Sequence, residues 1–336
     1  MLSIAQLRQM QREIRDAVIH SHRDTDRHET AKSTAADTIY RIDAHVEPII
    51  EKYCREWGES TPLILIAEGI EDEKGVEGAK VFPQGTRPQD AVIRLIIDPI
   101  DGTRGIMYDK RSAWSLAGVA PNKGPNTRLR DIEVAVMTEL PTSKAGFADV
   151  LWATRGKGAE GVRESLGASR SGSTETSVPL RMSPSKAKDI HHGFAMIADF
   201  FPGTKVLAGE MMEYLVQHLV GKADVTRATV FEDQYISTGG QFYEMIVGHD
   251  RFNADLRPIF YRLQNQPEGL CCHPYDCATL LIAEEAGVLI TDALGNPLDG
   301  PLDCTTGLSW AAFANDDLRM AIEPLMAQFL QEKTNR

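Results

Sequence analysis

Two short apolar runs that each stop at an acid constrain this chain more than any other feature. Leu63-Ile64-Leu65-Ile66-Ala67 runs into Glu68, and Val92-Ile93-Arg94-Leu95-Ile96-Ile97 runs into Asp98. Both are rich in β-branched residues and nearly continuous instead of alternating, the pattern of strands covered on both faces. Strands of that kind need helices or a second sheet on each side, so a layered α/β chain is expected. Further strand-like stretches lie at Ser115–Ala120, Ile132–Met137, Val150–Thr154 and Phe242–Val247.

Helical spacing brackets these strands. Ile4, Leu7, Ile14 and Val18 share one face, and Val46, Ile49, Ile50 and Tyr53 repeat the spacing, with Asp43 on the same inward side. Later helices are expected over Glu210–Val220 and over Cys277–Glu285, the latter closed by Gly287. Asp24–Asp37 is polar and without apolar period, and reads as a loop carrying Lys32. Ser165–Ser177, rich in Ser, Thr and Gly, reads as an exposed loop. A boundary near Leu180 divides the chain into two packed lobes, residues 1–180 and 181–336, with a site between them.

Composition narrows the function. No apolar run approaches the ~20 residues needed to span a bilayer. The 48 acids outnumber the 36 bases, a net charge of −12 that repels a nucleic acid backbone. An anionic ligand therefore needs local positive charge. Five cysteines and no secretory apolar segment at the N-terminus point to a reducing cytoplasm.

Asp98-Pro99-Ile100-Asp101-Gly102-Thr103 is the most informative segment. Pro99 and Gly102 suit an ordinary β-turn, and equally let two acids splay around one point. Hard oxygen donors in that arrangement suit Mg²⁺ or Mn²⁺. Two further acids stand in comparable places: Glu68 in Ile66-Ala67-Glu68-Gly69-Ile70-Glu71-Asp72, and Asp276 in His273-Pro274-Tyr275-Asp276-Cys277-Ala278. Read singly, Glu68 is a strand-end acid, Asp276 a helix cap, Asp43 a structural carboxylate and Lys32 a solvated cation. Cys271, Cys272, His273 and Cys277 lack zinc-ligand spacing. Gly156-Lys157-Gly158-Ala159 lacks the spacing of a phosphate-binding loop and reads as a turn.

Taken in order, the three acidic motifs resemble those of the inositol monophosphatase and fructose-1,6-bisphosphatase superfamily, magnesium-dependent, lithium-sensitive phosphatases. Trp152–Ala159 followed by Leu180-Arg181-Met182-Ser183 is similar to that family's middle segment, and the likeness runs from about Lys32 to Asp299. The resemblance implies a layered αβαβα sandwich and a Mg²⁺-dependent phosphomonoesterase that uses two or three ions, acts as a homodimer and is inositol monophosphatase-like in substrate, a small phosphorylated polyol or sugar. It implies Glu68, Asp98, the Ile100 carbonyl, Asp101 and Asp276 as metal ligands, and the Gly102 and Thr103 amides as the phosphate cradle. Asp101 and Asp276 also border the substrate. Thr103, partnered by Asp43, would activate water with Glu68 beside it, and Lys32 would reach in from a loop. Alternatives are a sugar bisphosphatase, a nucleotide 3′-phosphatase, or a non-catalytic binding member.

The departures are specific. Gly69 stands where many relatives have a second acid, Arg104-Gly105-Ile106 follows Thr103, and Tyr275 replaces the commoner Trp. Where inositol monophosphatases place a ring-contacting acid this chain has Gly269, with Glu268 one place out of register. The segment Gly248–Pro267 reads as an insertion bringing His249, Asp250, Arg251, Asp255 and Arg257. A solvated loop and a ligand-reading set both fit it; the latter favours a phosphorylated sugar or bisphosphate over inositol 1-phosphate.

Overall fold

The computed structural model describes residues 1–21, 30–33, 38–40, 42, 46–71, 77–166, 176–222 and 226–335. Helices α1 (Ile4–Ser21) and α2 (Glu47–Gly58) cover one face of an eight-stranded sheet. That sheet comprises β3 (Leu63–Glu71), β4 (Glu77–Phe82), β5 (Ile93–Asp101), β6 (Ala113–Pro121), β7 (Val134–Leu140), β8 (Phe147–Thr154), β9 (Ala159–Ser165) and β10 (Ser177–Pro179). Its order is β10-β9-β8-β7-β6-β5-β3-β4, antiparallel throughout except where β3 lies parallel to β5. Before it, β1 (Thr30–Ser33), inside the stretch Asp24–Asp37 expected to be a loop, pairs with β2 (Thr38–Tyr40), which follows that stretch, as a separate ribbon.

The pleat explains why the strand sequences are nearly continuous in apolar residues. Leu63, Leu65, Ala67, Leu95, Ile97 and Ala117 pack with Leu7, Met10, Ile14 and Ile50 under the outer helices. Ile64, Ile66, Ile96, Leu116 and Met137 point the other way. They meet a middle layer of α5 (Thr238–Ile246) and α7 (Leu280–Glu285), which packs on β5 to β9. Beyond it lies a second sheet, ordered β11 (Phe194–Ile197), β12 (Asp250–Asp255), β14 (Trp310–Phe313), β13 (Leu289–Asp292). The short α6 (Arg257–Leu263) follows β12. Helices α4 (Lys205–Leu219) and α8 (Asp316–Thr334) form the outermost layer. The result is an αβαβα sandwich whose central apolar cluster draws on both halves of the chain.

A polar tie fixes α1 to this sheet. Gln11, fully buried, donates from Nε2 to the carbonyls of Ser115 and Val136, both at 3.0 Å, and accepts from Thr138 Oγ1 at 2.8 Å. No described helix is long and apolar enough to cross a membrane.

Three further local expectations differ from the structure. Phe242–Ile246 lies in helix α5, with Val247 as its C-cap, because Phe242, Met245 and Ile246 follow helical spacing behind the N-cap Ser237, whose hydroxyl accepts from Gly240 N at 2.8 Å. The helix expected from Cys277 starts at Leu280, after turns closed by Cys277 N to Pro274 O and Ala278 N to Tyr275 O, both 3.2 Å. The segment read as an insertion supplies an interior strand: β12 pairs parallel with β11 and antiparallel with β14, so it is no added loop.

Gly118, in β6, carries a constraint from the fold to the carboxylates. A Cβ there would stand 2.6 Å from the Ala278 carbonyl and 2.8 Å from Ile132 Cδ1. Gly118→Ala must push the 276–278 turn off the sheet, and we expect a stability loss of about 1–3 kcal/mol. Denaturant melts of the two proteins check this; an unchanged midpoint would show that the turn yields freely.

Candidate metal and phosphate site

The site forms where β3 and β5 end. Along β5 the register against β6 steps from Asp98 opposite Leu116 to Asp101 opposite Trp114, so β5 carries one extra residue. Without that bulge, acids three apart would point to opposite faces. With it, Asp98 and Asp101 turn toward the same cleft, where they meet Asp276: one oxygen of each lies within 4.8 Å of the others. Glu68, from the neighbouring strand, lines the same cleft with Ile100, Gly102 and Thr103.

Each carboxylate has a definite anchor. Asp98 Oδ1 accepts from the Ile100 amide at 3.0 Å, and Asp276 Oδ2 accepts from the His273 amide at 2.6 Å. Asp101, buried, is held by the first turn of α5. Ser237 Oγ donates to its Oδ2 at 2.9 Å, Gly239 N to Oδ2 at 2.6 Å and Thr238 N to Oδ1 at 3.2 Å. The backbone N–H groups of a helix start thus point at a carboxylate, a favourable arrangement. Gly102 completes the turn at φ +99°, and a Cβ there would come within 3.1 Å of Ser237 Cβ. Thr103 opens α3 (Thr103–Met107) and donates from Oγ1 to the Ile100 carbonyl at 2.7 Å.

Electrostatics in the cleft are unfavourable for bare carboxylates. Burial, then the charges of Asp101, Asp276 and Glu68, push Asp98 well above the ordinary carboxylate range. Asp276 moves the same way through burial and Asp101, opposed by the His273 amide and Arg257. Burial raises Asp101 to about 7 despite its three hydrogen bonds.

The structure also locates the residues that depart from the family pattern. Gly69 adopts φ +75° where the β3–β4 register is interrupted between Ile66 and Glu71, so a backbone bend occupies the place of the second acid. Tyr275 is buried and stacks on His273, ring centroids 5.4 Å apart. Arg104 lies over the Phe201 ring at 5.0 Å. Asp43 lies outside the described residues. Lys32 falls in β1, pairing with Ile39, and its side chain is outside the described residues.

Of the five charged residues expected from 248–267, the structure brings Arg257 to the cleft. Arg251 instead donates to the carbonyls of Asp189 at 3.0 Å and His191 at 2.5 Å, and His249 Nδ1 lies 2.5 Å from Glu244 Oε2. Asp250 bonds Asn253 Nδ2 at 2.8 Å, while Asp255 pairs with Arg257. Burial works against the Arg257 charge, and Asp255 more than offsets it. Sequence reasoning missed Ser237–Gly239, although Ser237 ahead of helically spaced Phe242, Met245 and Ile246 was a readable cap signal. It also missed Phe200 and Phe201, which line the cleft with no sequence signature.

No protein-family model and no curated protein sequence matches the chain. Solved structures do. Fructose-1,6-bisphosphatase from Leishmania major in its holo form aligns with TM-score 0.67 and 14% identity, over 98% of this chain and 93% of that chain. The MJ0109 gene product, an inositol monophosphatase-fructose 1,6-bisphosphatase, aligns with TM-score 0.65 and 16% identity, over 97% and 100%. Inositol monophosphatase II from Staphylococcus aureus aligns with TM-score 0.58 and 15% identity, over 99% and 97%. The chain has the fold shared by these structures.

The raised acids imply a pH dependence of the metal-free protein. Asp101, with a folded-state pKa of about 7 against about 4 unfolded, binds more protons folded than unfolded between those values. Its contribution to stability is full below pH ~4 and is lost as the pH rises through ~7. Melting temperatures in EDTA should fall across that window, and saturating Mg²⁺ should cancel the fall. Asp98→Asn removes a buried charge while its Oδ1 can still accept from Ile100, so it should raise the melting temperature in EDTA at pH 7.5. A lower value would argue against repulsion in the cleft.

Proposed function

We propose that this chain is a divalent-metal-dependent phosphomonoesterase acting on a small phosphorylated polyol or sugar. The carrying observation is the convergence of Asp98, Asp101 and Asp276, one oxygen each within 4.8 Å, at the cleft lined by Gly102 and Thr103. The printed names of the similar structures, inositol monophosphatase and fructose-1,6-bisphosphatase, support the same reading.

The donor set fits Mg²⁺ or Mn²⁺. The converging groups are all carboxylate oxygens, and their raised pKa values register a deficit of positive charge. Asp98, Asp101, Asp276, Glu68 and the Ile100 carbonyl would hold the ions, two or three in number. When bound there, the cations would supply Lewis-acid charge for a phosphoryl group and lower the pKa of a water.

The remaining work belongs to the chain. The Gly102 and Thr103 amides would bind phosphate oxygens at the start of α3. The Thr103 hydroxyl, fixed at the head of that helix, would orient a water for in-line attack, with Asp43 as its proton acceptor and Glu68 beside it. Lys32 would contact the phosphate from the β1–β2 ribbon. Lithium sensitivity, a homodimer and a cytoplasmic setting belong to the same proposal.

A phosphate-release assay over sugar and polyol monoesters is the direct test. We expect turnover that needs Mg²⁺ or Mn²⁺, stops with EDTA and is inhibited by Li⁺; steady turnover under thorough chelation would overturn the reading. Asp98→Asn should lower kcat by about 100-fold or more, since it removes charge where the transition state needs it. Thr103→Ala should lower kcat strongly with little change in metal affinity, because orienting water is a transition-state role. A metal titration of that variant, read by calorimetry, separates the two effects.

A further inference from the structure

The wall of the cleft that carries no carboxylate cluster is built around a buried cation. Among the described residues lining the cleft, Arg104 and Arg257 are the only cations. Arg257 is 4% exposed. Its guanidinium is positioned from two directions. Asp255 takes one edge, with Nε at 2.8 Å from Oδ1 and 3.1 Å from Oδ2 and with Nη2 also bonded to Oδ2. Phe200 and Phe201 stack on it, their ring centres 4.7 and 5.4 Å from Cζ. The two rings meet edge to face, 5.0 Å apart, and Arg104 caps Phe201.

The hydrogen-bond count of Arg257 is incomplete. A guanidinium has five N–H donors. Asp255 engages Nε–H and one Nη2–H, and the Leu270 carbonyl takes one Nη1–H at 3.1 Å. Among the described residues, one N–H on each Nη atom has no acceptor. Donors on a charged, buried group are costly to leave unmet, and an anion satisfies them with charge-assisted bonds. A hydroxyl accepts such a bond without supplying charge.

Gly269, next to the lining residue Leu270, brings no side chain to this wall and is packed so closely that a Cβ would lie 2.8 Å from Tyr261 Oη. Glu268 pairs instead with Arg262 at 3.7 Å.

We infer that Arg257, held by Asp255 and the Phe200–Phe201 pair, is the specificity residue of the cleft and receives a second anionic group, carboxylate or phosphate, on the alcohol portion of the phosphate ester. This rests on the phosphatase reading above. It narrows the substrate to esters that carry a second anionic group besides the phosphate to be hydrolysed, and away from monophosphates whose alcohol portion is uncharged. Of the charged residues in 248–267 it assigns the task to Arg257 alone.

The test compares glucose 6-phosphate, 6-phosphogluconate and glucose 1,6-bisphosphate as substrates of the full chain with saturating Mg²⁺. We expect kcat/KM for at least one of the two esters with a second anionic group to exceed that for glucose 6-phosphate by about 10- to 100-fold, the worth of a charged hydrogen bond, mainly through KM. Preference for 6-phosphogluconate identifies a carboxylate, and preference for the bisphosphate a second phosphate. Arg257→Gln should collapse the ratio toward one. That variant leaves Asp255 buried without its cation, so Asp255→Asn/Arg257→Gln, which removes both charges, is measured beside it and should collapse the ratio equally. A purely structural arginine would lower all three rates in proportion and keep the ratio, which would overturn the inference. So would equal use of the three esters by the wild type, while leaving the phosphatase reading intact. Failure to release phosphate from any monoester would overturn both.

Discussion

The contact between the Asp101 carboxylate and the first turn of α5 is the constraint on which the site depends. It joins residues 136 to 138 positions apart and closes the end of β5 against the middle helical layer. Three donors converge on one buried carboxylate, which fixes the direction of Asp101 before any ligand arrives. Gly102 then has to turn with a positive φ against Ser237, and α3 starts where that turn places it. Asp98 follows from the same geometry, because the bulge between it and Asp101 sets both on one side of the strand.

The cluster is also an electrostatic load on the fold. Burial and mutual repulsion disfavour the charged forms of Asp98 and Asp276 in the folded protein. Such a site is stable because the layers around it are close-packed: the strands carrying the acids are covered on both faces by two separate apolar clusters. Rigidity of that kind suits a cation cradle, since ligands already turned inward need little reorganisation to bind an ion. The Arg257–Asp255 pair shows the same economy on the opposite wall. A charge is kept in a buried place by a carboxylate and two aromatic faces.

Much of this was legible in the residues themselves. Uninterrupted runs such as Leu63–Ala67 declared strands with two buried faces, and the acids at their ends declared where chemistry could occur. The expectation for Phe242–Val247 failed because six apolar-rich residues satisfy both a strand and a helix, and the cap at Ser237 decides for the helix. The segment 248–267 needed the structure for a different reason. Its mixed charges fit solvent or ligand, and β12 lies inside the second sheet, where Arg251 bonds carbonyls and Asp250 an amide, while Arg257 reaches the cleft. Gly69 looked like a missing acid, and its φ shows a bend in the strand.

By itself the sequence determined the layers, the strands that carry the acids, and the oxygen-donor chemistry of Glu68, Asp98, Asp101 and Asp276, because periodicity and side-chain type are local properties. Tertiary structure alone decided which acids share a cleft, which turn holds Asp101, and which of the many arginines faces it. Those outcomes depend on a bulge of one residue and on contacts across more than a hundred positions, and a one-residue change of register sends a side chain to the opposite face of the sheet.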